Sequence, residues 1–105
     1  MADERVLMKN PNTGRDNGTI ARVMYEPVCQ AILGALADTP DGILFGDLRR
    51  HVEARTPPEL WKDASIGWYT TTVKLHIEAE GWLERSGSPQ RLHLTDAGRS
   101  QRATD

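Results

Sequence analysis

The sequence predicts an α+β domain in which three main helices precede a C-terminal β-hairpin. Three observations predict it. Apolar residues recur at helical spacing between Val28 and Leu36, and again between Val73 and Ile77. Gly81 then follows the second run, where a left-handed residue closes a helix. Two alternating segments flank Ser86-Gly87-Ser88-Pro89, which is the pattern of a hairpin about a turn.

The chain has 105 residues, enough for one small domain around a single core. Its hydrophobic (38%) and charged (27%) fractions are those of a globular protein rather than a disordered one. No apolar run approaches the roughly 18 residues that a membrane span needs. The opening MADERVLMKN carries acidic residues and lacks an apolar signal core. A cytoplasmic protein with no membrane association is therefore expected. Cys29 is the only cysteine, which excludes an internal disulfide and a thiolate-rich metal cluster. Between apolar neighbours on a helix, it reads as a buried, inert thiol. The net charge of −2 excludes a generic nucleic-acid coat and leaves room only for a local basic patch.

The elements follow in order. Residues 1–19 read as an N-terminal arm and loop, in which Arg5-Val6-Leu7-Met8 is a short strand or an apolar anchor. Asn10-Pro11-Asn12-Thr13-Gly14 and Asp16-Asn17-Gly18 are turn formers without a period. The domain proper is expected over 20–99. Its first helix is placed at Glu26–Ala37, with Thr19–Tyr25 as an alternative preceding turn, Pro27 at a first helical position and Val28, Ile32, Leu33 and Leu36 forming one stripe. Ile43-Leu44-Phe45, bounded by glycines, reads as a small strand pairing with the later hairpin. A second helix runs from Gly46-Asp47 to about Arg55, facing the core with Leu48 and Val52, and Thr56-Pro57-Pro58 ends it. One helical turn is expected at Glu59–Lys62, with Trp61 capping the core.

The third helix runs from Ile66 or Gly67 to Glu80, with Trp68 or Tyr69, Val73, Ile77 and the following Trp82 as its buried stripe. In the hairpin, Leu83, Arg85, Arg91 and His93 are expected to alternate with Trp82, Glu84, Leu92 and Leu94. Thr95 caps a last turn, and residues 100–105 form a polar tail that frays.

The order helix, small strand, helix, helix, hairpin resembles the winged helix-turn-helix superfamily. The closest likeness lies in GWLERSGSPQRLHLTDAGR (Gly81–Arg99), which is similar to the hairpin "wing" of bacterial regulators of the MarR and PadR types. The whole chain also looks like a small uncharacterised family of bacterial winged-helix-like proteins. The resemblance covers about Glu26 to Arg99. It implies a DNA-binding, transcription-related protein that places its third helix in the major groove of duplex DNA, with the wing alongside. Carried over by position, it implies DNA contacts by Thr70, Thr71, Thr72 and Lys74 on the third helix, and by Arg85, Arg91 and His93 on or beside the wing.

The sequence departs from that pattern in charge. Between Ile66 and Leu94, Lys74, Arg85 and Arg91 are balanced by Glu78, Glu80 and Glu84. The helix carries no arginine, the residue that most often reads guanine. This balance supports an alternative without nucleic acid: a protein-interaction or homodimerisation module. Three tryptophans exceed the needs of a minimal core, and tryptophan is favoured at interface hot spots. Leu75 turns away from Val73 and Ile77, so Trp61, Trp68 and Leu75 are the candidate partner surface.

Catalysis, cofactors and metals find little support in the residues. His51, His76 and His93 lie in three separate elements without metal-ligand spacing. The acid pairs Glu78/Glu80 and Glu84/Asp96 read as surface charges, and there is no nucleophile-base signature. A non-enzymatic role without cofactor or metal is the expectation.

Overall fold

The structure, a computed structural model, describes residues 4–11 and 16–102. The turn formers at 12–15 and the last tail residues, 103–105, lie outside the described residues. The chain runs β1 (Arg5–Lys9), β2 (Asp16–Ala21), α1 (Arg22–Ala37), α2 (Phe45–Ala54), a 3-10 turn (Pro58–Trp61), α3 (Ile66–Ala79), β3 (Leu83–Ser86), β4 (Arg91–Leu94) and α4 (Asp96–Arg99). Among the described residues the fold is α+β, with four α-helices and two antiparallel hairpins, β1–β2 and β3–β4.

The core is built from the predicted stripes. Val28, Ile32, Leu33 and Leu36 of α1 are buried against Leu48 and Val52 of α2 and Val73 and Ile77 of α3. Burying each such aliphatic side chain contributes about 1.5–3 kcal/mol. The end of α3 closes as the glycine predicts: Gly81 takes φ +80°, and Trp82 N–H donates to Ile77 O at 3.0 Å. With Gly81 N–H donating to Glu78 O, this is the Schellman arrangement that satisfies the last helical carbonyls. Thr95 caps α4 by accepting from Gly98 N–H, and its own hydroxyl donates to Gly81 O at 2.6 Å, tying α4 back to the turn after α3.

Four expectations are corrected. First, the N-terminal residues are not an arm. β1 and β2 pair in the register Arg5↔Ala21, Val6↔Ile20 and Leu7↔Thr19, and they dock on α1 and α3. Met8 and Ile20 are buried, so the hairpin completes the core and the boundary at residue 20 falls inside β2. The strand expected at Arg5–Met8 is present as β1, with Val6 and Met8 inward; what the pattern did not carry is its partner β2.

Second, α1 begins at Arg22, so Pro27 sits inside the helix rather than at its first position. Proline removes one helical hydrogen bond there. The turn before it is anchored instead by Arg22 N–H donating to Glu4 O and by Arg22 ion pairs to Glu4 and Glu26.

Third, Ile43 pairs with the later hairpin as expected, but as one bridge rather than as a strand. A single bridge joins Ile43 to Leu92, and Phe45 is already the first residue of α2. Fourth, the β3–β4 register pairs Leu83 with Leu94 and Arg85 with Leu92. Directly opposed residues share a face of the sheet. Leu83 therefore joins Leu92 and Leu94 in the core rather than standing with Arg91 and His93.

Candidate interaction surface

The site is built on α3. Ser65 starts the helix by accepting from Trp68 N–H at 3.2 Å. From there each residue turns about 100° round the axis. Ile66, Thr70, Val73 and Ile77 point into the domain, and His76 points toward β1, where its Nδ1 accepts from Lys9 N–H. What remains toward solvent is Trp68, Thr71 and the half-buried Leu75, and the stripe ends at Glu78, whose side chain is largely buried. The spacing i, i+3, i+7 and i+10 makes them one continuous stripe along the helix. Trp68 is 53% exposed and its ring meets Tyr69 edge-on at 4.9 Å.

Most of the residues expected to contact DNA are placed elsewhere. Thr70, Thr72 and Lys74 are buried, with no more than 5% of each exposed. The reason is geometric. Thr70, Thr71 and Lys74 fall within one 100° arc, but Thr70 and Lys74 lie on its inward edge, Lys74 against the start of α2, and Thr72 lies a further 100° beyond Thr71. Thr71 alone of the four is exposed.

Lys74 points toward the start of α2, where its ammonium lies 5.0 Å from the centroid of the Phe45 ring. It donates to Glu78 Oε1 at 2.9 Å. Arg85, from β3, reaches the other oxygen of that carboxylate at 2.7 Å. Arg91 is half-buried and donates to Gly42 O at 3.3 Å. His93 lies across Gly42, which holds φ +89° and has no room for a side chain; a Cβ there would meet His93 Cε1 at 2.6 Å. Arg91 and His93 thus cover the loop before α2.

Much of the positive charge is neutralised, although Arg49, Lys62 and Arg91 have no carboxylate partner among the described residues. Lys9, Arg22, Arg50, Arg55, Lys74, Arg85 and Arg99 each form an ion pair with a carboxylate of this chain. The Arg55 guanidinium holds the Asp38 carboxyl below its ordinary range by a direct hydrogen bond. Phosphate binding at Lys74 and Arg85 would draw on cations that are already compensated.

Of the three residues considered for a partner surface, Trp61 is committed to the core. It is half-buried, and its Nε1 donates to Thr56 Oγ1, which itself donates to Val52 O. Trp68 and Leu75 remain on the outward stripe. The residue that sequence reasoning missed is Phe45, 46% exposed beside Lys74. Its assignment to a strand concealed it; as the first residue of a helix it has no inward face to fill.

Elsewhere, a groove of about 440 Å³ is lined by Tyr25, Cys29, Gln30, Trp82 and Gln101, with Glu26 at its edge. Burial pushes both the Cys29 thiol and the Tyr25 hydroxyl above their ordinary ranges. Among the described residues no three His, Cys, Asp or Glu side chains are grouped to hold a metal ion. No helix among them is long and apolar enough to cross a membrane.

No curated protein and no solved structure matches this chain. A family of unknown function, DUF6958, matches residues 5–92, from the first residue of β1 into β4. The β1–β2 hairpin is therefore part of the family's domain and not an appendage to it. The match spans most of the chain, which belongs to the DUF6958 family.

Proposed function

We propose that this chain is a non-enzymatic, cytoplasmic protein of winged-helix architecture whose third helix binds protein rather than DNA, with a second copy of the chain as the partner. The observation that carries the reading is the outward face of α3. It presents Trp68, Thr71 and Leu75, while Thr70, Thr72 and Lys74 are buried. An exposed tryptophan beside a leucine one helical repeat away suits a helix packed against another helix.

A second copy is favoured by the ends of the stripe. The apolar residues run into the Glu78–Arg85 pair, so the patch carries both signs of charge and no net field. Such a patch can complement itself about a two-fold axis, as an isologous interface requires. The α1–α2–α3–β3–β4 order supports the winged-helix part of the reading, but fold alone does not fix function.

Amide and indole resonances followed from about 10 µM to about 1 mM protein, a range that brackets weak dimers, test this. Trp68, Thr71 and Leu75 shift with concentration, and Trp68→Ser abolishes the shifts. Invariance across the range overturns the reading. Salt-sensitive shifts of Thr71 and Arg85 on adding duplex DNA, without self-association, restore the nucleic-acid alternative.

A further inference from the structure

His76 is the buried titratable group that the surface of α3 does not use. It is 6% exposed and faces β1, α1 and the turn after α3. Its ring stands edge-on to Tyr25 at 5.6 Å and to Trp82 at 6.1 Å. Its Nδ1 accepts the Lys9 backbone N–H at 3.2 Å, which joins the end of β1 to α3. A ring nitrogen that accepts a hydrogen bond carries no proton, so the arrangement selects the neutral ring with its proton on Nε2. Protonating Nδ1 would set two N–H groups against each other.

From this geometry we infer that His76 is an acid-sensitive latch: neutral, it holds the β1–β2 hairpin on α3; protonated, it releases the hairpin. Release would uncover Met8 and Ile20, the hairpin's own core-facing side chains. The charged and titratable groups around the ring are few. Lys9 approaches from β1, Tyr25 from α1 with Cys29 one turn on, and Glu80 from the end of α3, where it pairs with Lys9 at 2.6 Å. Histidine is the one among these types whose ordinary range falls between pH 5 and 8.

The direction of the shift agrees with the geometry. Burial lowers the His76 pKa; Glu80 opposes this, and Lys9 adds to it. A value depressed in the docked state means that docking is complete above the ordinary histidine range, about pH 6.5, and weakens as the pH falls. Between that range and the depressed value, each pH unit weakens docking about tenfold; below it the loss levels off.

The test is ¹⁵N NMR of the ring and hydrogen exchange of the backbone, from pH 7.5 to pH 5. Ring shifts should report an Nε2–H tautomer at pH 7.5. Protection of the Lys9 amide and of the β1–β2 amides should fall along the His76 titration, while the Ile43 and Leu92 amides stay protected. His76→Asn, whose side-chain oxygen accepts without titrating, should keep the hairpin docked and flatten the pH dependence. An Nδ1–H tautomer, pH-independent Lys9 protection, or loss of Lys9 protection that persists in His76→Asn would each overturn the latch.

Discussion

Lys74 and Glu78 form a buried ion pair on successive turns of α3, Nζ to Oε1 at 2.9 Å, with side chains 5% and 14% exposed. Arg85 completes it by holding the second carboxylate oxygen from β3. One carboxylate thus joins the third helix to the C-terminal hairpin and keeps a lysine ammonium compensated beneath Phe45.

The two partners of that pair should respond unequally to removal. Glu78→Ala leaves the Lys74 charge buried without a counter-ion, and breaking a buried pair in this way costs about 3 kcal/mol or more. Lys74→Met leaves Glu78 still paired to Arg85 and fills the same volume, so its cost stays within about 1 kcal/mol. Urea unfolding of both variants checks this. Equal losses would mean that the carboxylate is not the shared element.

Thr70 distinguishes a structural residue from a DNA contact. Its Oγ1 is buried without a hydrogen-bond partner among the described residues. Thr70→Val keeps the shape and removes the unsatisfied hydroxyl, so it should stabilise the fold by about 1 kcal/mol. Thermal unfolding reads the sign directly; a clear loss of stability would show that the hydroxyl is bonded in solution.

The tryptophans should separate into a core residue and a surface residue. Trp61→Ala removes a ring packed on the core and the donor to Thr56, at a cost of about 3 kcal/mol. Trp68→Ala removes a ring that is half in water and should cost the monomer less than about 1 kcal/mol. Dilute-solution denaturant curves compare the two. A Trp68 loss as large as that of Trp61 would make Trp68 a folding residue and weaken the case for an interface.

Much of this architecture is legible in the residues, for local reasons. The α1 stripe, the glycine that ends α3 and the Thr95 cap each depend on neighbours within one or two turns, and each stands where the sequence puts it. The strand at Arg5–Met8 was legible, but its pairing with β2 was not, because Ile20 signals burial only through contacts far along the chain. The candidate site was half legible. Leu75 points away from Val73 and Ile77 by helical geometry alone, whereas Lys74 looks like a surface charge in any sequence. The i, i+4 spacing of Lys74 and Glu78 was the available sign of their pairing. Its burial depended on where α2 begins, and the strand assigned to Ile43–Phe45 hid that.

The most direct measurement of the central claim is sedimentation velocity on the wild type and Trp68→Ser across the same concentration range, with duplex DNA added in a parallel series at low salt. The account predicts reversible wild-type dimers, monomeric Trp68→Ser and no co-sedimentation with DNA. A wild type that stays monomeric throughout and co-sediments with DNA would contradict it.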